Sequence, residues 1–525
     1  MPNDRLSAPP RAATKGLALL AVCAAAAAMP LTFTGTAVAL PAIGRALQGG
    51  PVAMAWATNA FMLAFGSALM VAGALADSHG RKRVFLWGTL AFALFSLGLV
   101  VAPGMLVFDL LRGGQGLAAA AAYAGGAAAL AQEFEGRARL RAFSVMGASF
   151  GAGLSLGPVA SGLMVEAMGW RSIFLAVVAL TAFAFLLGRV ALTESRDPAS
   201  GGLDRPGALA FTAMLALFTC GMLLVPAQGW HSPTVLGLLG GSVLCLAAFI
   251  AVERRVRHPM LDLSLFRYPR FVGVQLLAAA PAYGFVVLLI LLPLRFVGIE
   301  GMGEVAAGIL MIALSAPLLV LPVVAGLLVR WFRPATICSA GLLVSAAGLL
   351  WLARTPIGAP TAATALPMLL IGLGISLPWG LMDGLAVSVV PKERAGMATG
   401  IFSTVRVAGE GVALAVVGAV LSMLLAARLA AAGMGGNSAA VAQRLAGGDL
   451  AGALALVPGG DAATLVARYG EALGGLLVLL AGITTLTAVV VFLFLGKDGE
   501  TALPAANAEP RDRPPQQGVL PPCSS

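Results

Sequence analysis

Charge is scarce in this chain. Asp, Glu, Lys and Arg make up 11% of its 525 residues, against 59% hydrophobic residues, and mean hydropathy is +0.94. A soluble protein of this length could not keep so much apolar surface out of water, so the soluble classes are excluded. Histidine is scarce too, and His79, His231 and His258 lie far apart in predicted loops. The cysteines, Cys23, Cys220, Cys245, Cys338 and Cys523, fall at no ligand spacing. They read as small packing residues, without a disulfide framework or a metal site. The run Gly-x-x-x-x-Gly-Lys-Ser/Thr is missing, which excludes ATP hydrolysis by a P-loop. No nucleophile–base arrangement stands out, so the chain is not read as an enzyme, and no cofactor is expected.

What the chain has instead is length without charge. A helix needs about 20 apolar residues to cross the hydrocarbon core. Fourteen such segments centre on residues 16–43, 52–75, 84–102, 105–131, 140–165, 172–192, 207–226, 233–252, 271–294, 305–329, 335–353, 362–390, 395–427 and 471–496. The runs are continuous rather than alternating, which favours helices over a barrel. The predicted fold class is an all-α, polytopic membrane protein.

The basic residues set the topology. Arg5, Arg11 and Lys15, then Arg81–Arg83, then Arg137, Arg139 and Arg141, fall on one side of the predicted spans. So do Arg189, Arg196 and Arg205, the basic residues of 254–270, Arg330 and Arg333, Lys392 and Arg394, and the tail's Lys497, Arg511 and Arg513. Only Arg45, Arg171, Arg295, Arg354, Arg428, Arg444 and Arg468 fall on the other side, with Arg112 and Arg406 inside spans. This bias fits the positive-inside rule with an even number of spans and both termini inside. Basic loops facing anionic lipid account for the net charge of +10, and nucleic acid is not an expected partner. The first apolar run follows basic residues like a signal peptide, but its length and the spans after it argue for an uncleaved first span.

Polar stretches divide the chain. Residues 1–192 read as a six-helix bundle. Residues 193–270 are a linker carrying an inserted pair, spans 7 and 8. Residues 271–496 read as a second six-helix bundle, and 497–525 as a disordered tail on the inner side. The stretch Gly326-Leu-Leu-Val-Arg-Trp-Phe-Arg333 after span 10 echoes Gly73–Arg83 after span 2. Repeats of this kind are common in secondary transporters, with the substrate site between the halves. The stretch 428–470 is a long Gly/Ala-rich loop on the outer side, with a weak helix at most and no assigned function. The sequence sets no oligomeric state and is compatible with a monomer.

Ionisable groups inside spans are costly and point by default to pathways or proton relays. Asp109 and Arg112 in span 4 stand at i,i+3, on one helix face, and can pair. Arg112 then either biases a nearby proton carrier or is a satisfied ion pair. Arg406 and Glu410 in span 13 stand at i,i+4. Glu410 is either a proton carrier or a carboxylate neutralised by Arg406. Asp383 in span 12 is an access-path acid or a wetted one. In span 5, Gly147–Gly162 is a helix broken by Gly and Pro, which serves either a moving half or a structural kink.

On these residues the chain resembles the major facilitator superfamily, and within it the 14-span drug:proton antiporters (EmrB/QacA-type). The loop pattern Gly-x-x-x-Asp-x-x-Gly-Arg-Lys/Arg is matched by Gly73, Asp77, Gly80, Arg81 and Lys82. The span-4 pattern Arg-x-x-Gln-Gly is matched by Arg112, Gln115 and Gly116. The antiporter pattern of span 5 is matched by Gly153, Gly157, Pro158 and Gly162, and a span-13 pattern by Gly396, Ala398, Gly400 and Arg406. The resemblance implies two six-helix bundles plus an inserted pair, working as a proton-driven rocker-switch exporter in the bacterial plasma (inner) membrane. It implies that Asp77 and Arg81 hold an inner gate, that Arg112 tunes protonation and that Gly157-Pro158 favours antiport. One departure stands out: members usually carry an acid in span 1, where this chain has Thr32, with Ala37 in place of an Asn.

The expected substrate is a hydrophobic small molecule, a drug or a metabolite of the cell, exchanged for protons. Asn59, Gln275, Tyr283 and Trp379 are the candidate cavity residues. An uncoupled facilitator or importer is the alternative, favoured by Thr32 and disfavoured by the span-5 pattern. A transport-dead sensor or scaffold is the remote one, at odds with intact Asp77, Arg81 and Arg112.

Overall fold

The computed structural model describes residues 12–134, 136–196, 204–256, 261, 263–389, 395–432, 438–457 and 461–496. The first six helices are α1 (Ala12–Leu47), α2 (Pro51–His79), α3 (Arg81–Val100), α4 (Met105–Glu133), α5 (Gly136–Met168) and α6 (Arg171–Ala191). The inserted pair is α7 (Arg205–Gln228) and α8 (Pro233–Glu253). Then come α9 (Pro269–Pro281), α10 (Leu288–Pro293), α11 (Glu304–Ser315), α12 (Pro317–Leu328), α13 (Pro334–Ala353) and α14 (Thr361–Ser388). The last are α15 (Ala395–Ala431), α16 (Ser438–Ala446), α17 (Leu450–Ala455) and α18 (Ala462–Leu495). No strand occurs among the described residues.

Thirteen helical stretches are long and apolar enough to cross a membrane among the described residues, so this is a multi-pass integral membrane protein. Helix α4 is not among the thirteen. Its 29 residues are of spanning length, at about 1.5 Å each, but its glycines with Asp109, Arg112 and Gln115 lower its hydropathy. It lies between α2 and α3, so other helices rather than lipid cover much of it.

Proline shapes the ninth span. Pro281 and Pro293 end α9 and α10, and each is followed by a wide π-helical turn, Ala282–Val286 and Leu294–Ile299. A proline lacks the amide hydrogen and crowds the carbonyl four residues back, and a wider turn relieves that conflict. The tenth span breaks at Ala316, between α11 and α12, where Pro317 opens the second helix and no π turn forms. Polar side chains inside the bundle bond to carbonyls one turn back, as Thr34 does to Pro30 at 2.8 Å and Thr484 to Leu480 at 2.7 Å. In hydrocarbon no water would take these bonds.

Helices α1–α6 pack among themselves, as do α9 and α11–α18. Contacts between the two groups run along α2 with α15 and α5 with α11, supported by α1 against the ninth span. The turn carrying Arg81–Arg83 marks the basic end of the bundle, and the α1–α2 turn marks the far end. Close approaches such as Gly411 to Met62, and Gly162 to Glu304, lie between mid-depth and the far end.

Within 428–470 the described residues include two further short helices, α16 and α17. Helices α16 and α17 bury Val441, Ala442, Leu445 and Ala453. Asp449 caps α17 through Gly452 N–H (2.8 Å) and pairs with Arg444 at 2.6 Å. The Gly448 carbonyl lies against Gly298, at the far end of the ninth span, where no larger residue fits. Beneath it Arg295, a loop charge by sequence, is 1% exposed and pairs with Glu300 at 2.6 Å. Removing one partner strands a buried charge. Glu300→Gln is therefore expected to destabilise the fold by about 3–5 kcal/mol, seen as a lower Tm in detergent. An unchanged Tm would show that Arg295 is hydrated.

Candidate functional site

At mid-depth α1, α2, α5, the first π turn and α15 converge on a cavity. Met29, Pro30, Phe33, Phe61, Met62, Phe65, Phe150, Leu154, Val286 and Glu410 line it. Its free volume is about 10 Å³, room for one water. Any drug-sized ligand therefore needs the two helix groups to separate. Aromatic rings and methionines form most of the wall, and such surfaces repack around different shapes. The one ionisable lining group is Glu410, 6% exposed, supplied by α15.

Behind the cavity wall lies Arg112. Its side chain is fully buried, and its guanidinium carbon sits 4.6 Å from the ring centre of Phe61, a lining residue. Arg112 Nε donates to the Ala57 carbonyl at 2.8 Å, and Nη1 donates to Gln115 Oε1 and to Thr32 Oγ1 at 3.4 Å. Gln115 Nε2 also donates to Thr32 Oγ1, at 3.3 Å, and to Ser96 Oγ at 2.7 Å. Arg112 Nη2 has no partner among the described residues. The expected pairing with Asp109 is not formed: Arg112 turns into the bundle and takes only neutral partners. Asp109 lies one turn toward the far end, in a groove with Pro51, Trp56 and Leu106, and its buried Oδ1 has no partner among the described residues. Position 32, where the resemblance implies an acid, thus sits directly at the buried cation.

On α15 the Arg406 guanidinium lies 3.5 Å from the Tyr123 hydroxyl of α4, across the two groups. It also lies 6.0 Å from the ring centre of Trp379 and 5.6 Å from that of Phe402. The side chains of Asp383 and Ala398 lie outside the described residues, as do the surroundings of Gly396 and Gly400.

The motif at the basic end is built around one glycine. Gly80 has φ +117°, a left-handed conformation that favours glycine, and it turns the chain from α2 into α3. Asp77 Oδ1 accepts from Arg81 Nε and Nη2 at 3.0 and 2.9 Å, and Arg81 Nη1 donates to Gln132 at 3.0 Å. Lys82 Nζ donates to the Arg189 carbonyl at 2.8 Å, and Glu194 accepts from Lys82 N–H at 3.2 Å. These partners all belong to α1–α6 and the segment after α6. Gly73 has open space around it. In α5, Gly153 and Gly157 face α1 at Pro30 and Thr34, whereas Gly162 meets the Glu304 carbonyl and Pro158 meets Gly308 of α11.

The sequence profile described as Major Facilitator Superfamily matches residues 20–414. The chain belongs to the major facilitator superfamily. It is 31% identical over 400 residues to the multidrug resistance protein Stp of Mycobacterium tuberculosis (strain ATCC 25618 / H37Rv), covering 75% of this chain and 73% of that protein. It is 30% identical to the cephamycin export protein CmcT of Amycolatopsis lactamdurans over 91% of this chain and 93% of that one. It is 27% identical to the tetracenomycin C resistance and export protein of Streptomyces glaucescens over 96% and 94%. Among solved structures, a bacterial homologue of the human lysosomal transporter Spinster superposes with TM-score 0.61 at 15% identity, over 92% of this chain and 97% of that one. That likeness carries the fold alone.

In this superfamily member, the four sequence candidates for cavity residues are not on the cavity wall. Asn59 bonds to the Ala55 carbonyl at 2.9 Å. Gln275 is buried, and its amide atoms have no partner among the described residues. Tyr283 bonds to Thr487, and Trp379 packs edge-on to Phe285 with ring centres 6.2 Å apart. Sequence reading missed the Phe and Met wall, because such residues fill every span. Tyr123 had a signal, a rare tyrosine inside an apolar run.

The α5–α11 contact yields a prediction. A Cβ on Gly308 would stand 2.8 Å from the Pro158 carbonyl. Gly308→Leu is therefore expected to hold the far end open. A cysteine placed at Phe33 should then label faster from the far side; unchanged labelling would mean that the helices absorb the bulk.

Proposed function

We propose that this protein is a proton-coupled exporter of hydrophobic, largely aromatic small molecules, a transporter and not an enzyme. Residues 1–192 and 271–496 act as two bundles that rock about the central cavity, joined through 193–270. The observation that carries this reading is Glu410: a single carboxyl on an otherwise apolar wall, where the two helix groups meet. There it serves as the proton-carrying group, in place of the acid that Thr32 replaces. The conformation described here, with the groups joined from mid-depth to the far end, corresponds to a state closed to the outside. The basic end is then cytoplasmic, with both termini there, and the membrane is the bacterial plasma membrane. The export activities in the names of CmcT and the tetracenomycin C resistance and export protein support the same direction of transport.

A specific observation favours a second reading. Thr32 lies at Arg112, so the usual coupling acid is missing and uncoupled facilitation is the alternative. Dye movement in inverted vesicles separates the two. Coupled export predicts accumulation only when a proton gradient is imposed. Equal movement with and without the gradient would support the facilitator.

A further inference from the structure

Asp109 is a carboxyl group that no neighbour balances. Its expected partner Arg112 turns into the bundle, and Asp109 Oδ1 is buried with no partner among the described residues. An acceptor held out of water without a donor is costly, the more so when it is charged. The groove in which Asp109 stands is cut between the start of α2 and the second turn of α4, and its volume is about 490 Å³. No basic side chain lines it.

The groove carries complements to both charges of a zwitterionic lipid head. For a cation there are the Asp109 carboxylate and the ring of Trp56, whose π face attracts positive charge. Trp56 also packs against the cluster that holds Val225 of α7 and Ala415 of α15, which restrains its ring. For an anion there is the end of α2. Gly50 caps that helix without a side-chain bond, so the first amides, at Val52 and Ala53 on the groove wall, stand at the positive end of a helix of 29 residues. Such an end attracts a phosphate.

The surface beside the groove suits an acyl chain. From the groove toward mid-depth, Leu106, Leu110 and Leu117 of α4 are exposed, and Gly113 among them has open space around it. These four recur at i, i+4, i+7 and i+11, one face of a helix, and run about 16 Å along it. That is about half of a hydrocarbon core of about 30 Å, the depth of one leaflet. A water-borne amine would make no use of this track. The head chemistry is also selective: an oxygen short of a donor is satisfied by an N–H and not by an N-methyl group.

We propose that the groove between α2 and α4 is a site for a phospholipid with a primary-ammonium head, a phosphatidylethanolamine. Its ammonium lies on Asp109 and Trp56, its phosphate at the start of α2, and one chain along Leu106–Leu117. The site is separate from the central cavity and stands whether or not the chain exports.

The test uses the full chain in detergent, with native mass spectrometry reading the lipid that stays bound. Phosphatidylethanolamine is compared with phosphatidylcholine and phosphatidylglycerol of the same chains, and water-soluble phosphoethanolamine is added as a competitor. Phosphatidylethanolamine is expected to bind at least about tenfold tighter than either other lipid, and phosphoethanolamine at the same concentration to displace none of it. Asp109→Asn keeps the size of the side chain, removes its charge, and is expected to bring the three lipids to one affinity. Leu106→Trp fills the groove from an exposed position with the carboxylate intact, and is expected to do the same even if Asp109→Asn fails to fold. Equal binding of the three lipids to the wild type, or a preference for phosphatidylethanolamine that survives in the variants, would overturn the proposal. Phosphatidylcholine bound as tightly as phosphatidylethanolamine would overturn the primary-ammonium assignment. Displacement by phosphoethanolamine would overturn the lipid assignment and make the ligand water-borne.

Discussion

Glu410→Gln is expected to abolish gradient-driven export while leaving the protein folded and inserted. The substitution keeps the shape and removes only the ability to gain and lose a proton. Glu410 is the one ionisable group on the cavity wall, so no neighbouring lining residue can take over that task. Substrate binding should survive, because the aromatic and methionine contacts that dominate the wall are untouched. Downhill exchange of substrate should survive as well, since a permanently neutral carrier can still rock. The measurement is dye accumulation in inverted vesicles with an imposed proton gradient, beside exchange without one. Loss of both activities would mean that Glu410 holds the structure together. Retention of both would move the proton to Asp383 or Asp109.

Arg112→Met is expected to separate stability from activity. Arg112 is a fully buried cation whose partners are all neutral: a backbone carbonyl, a glutamine, a threonine and a phenyl face. Methionine removes the cost of burying a cation among neutral groups, but it leaves the Ala57 carbonyl and Gln115 Oε1 without this donor, at about 1–3 kcal/mol each. The two effects oppose each other, and Tm in detergent should change little. Transport should fall steeply, because the positive field behind Phe61 disappears from the site of proton exchange. Arg112→Lys keeps the charge and should retain part of the activity, although it loses the flat stack on Phe61 and the multiple donors. A stability loss in Arg112→Met with transport unaffected would make the arginine a structural tether.

Much of the fold was legible because its signals are local. Apolar length and basic connections placed each of the fourteen segments on a helix or a broken helical span, to within about two residues at its ends, even α4, whose polar residues dilute its hydropathy. The broken ninth span was less legible: Pro281 and Pro293 announce a disturbance, but neighbouring helices decide that it becomes two π turns. The stretch 428–470 hid α16 and α17 because Ala and Gly carry a weak helical pattern in sequence. In the site, Arg112 and Glu410 stood out as charges in apolar runs. The i,i+3 spacing suggested an Asp109–Arg112 pair that does not form, since spacing fixes a helix face and not the direction of a long side chain. The cavity wall was illegible, because nothing in a sequence with 24 Phe and 19 Met marks the few that face a void between bundles. The groove at Asp109 depends on how the ends of α2 and α4 come together, which no local pattern encodes.

Proton counterflow tests the central claim most directly. Purified protein is reconstituted in liposomes containing a pH-sensitive dye, and an outward gradient of substrate is imposed with no pH difference. Coupled exchange predicts that substrate leaving the vesicle drives protons in, acidifying the lumen in wild type and not in Glu410→Gln. Substrate leaving the wild-type vesicles with no change in lumenal pH would contradict the account and make the protein an uncoupled facilitator.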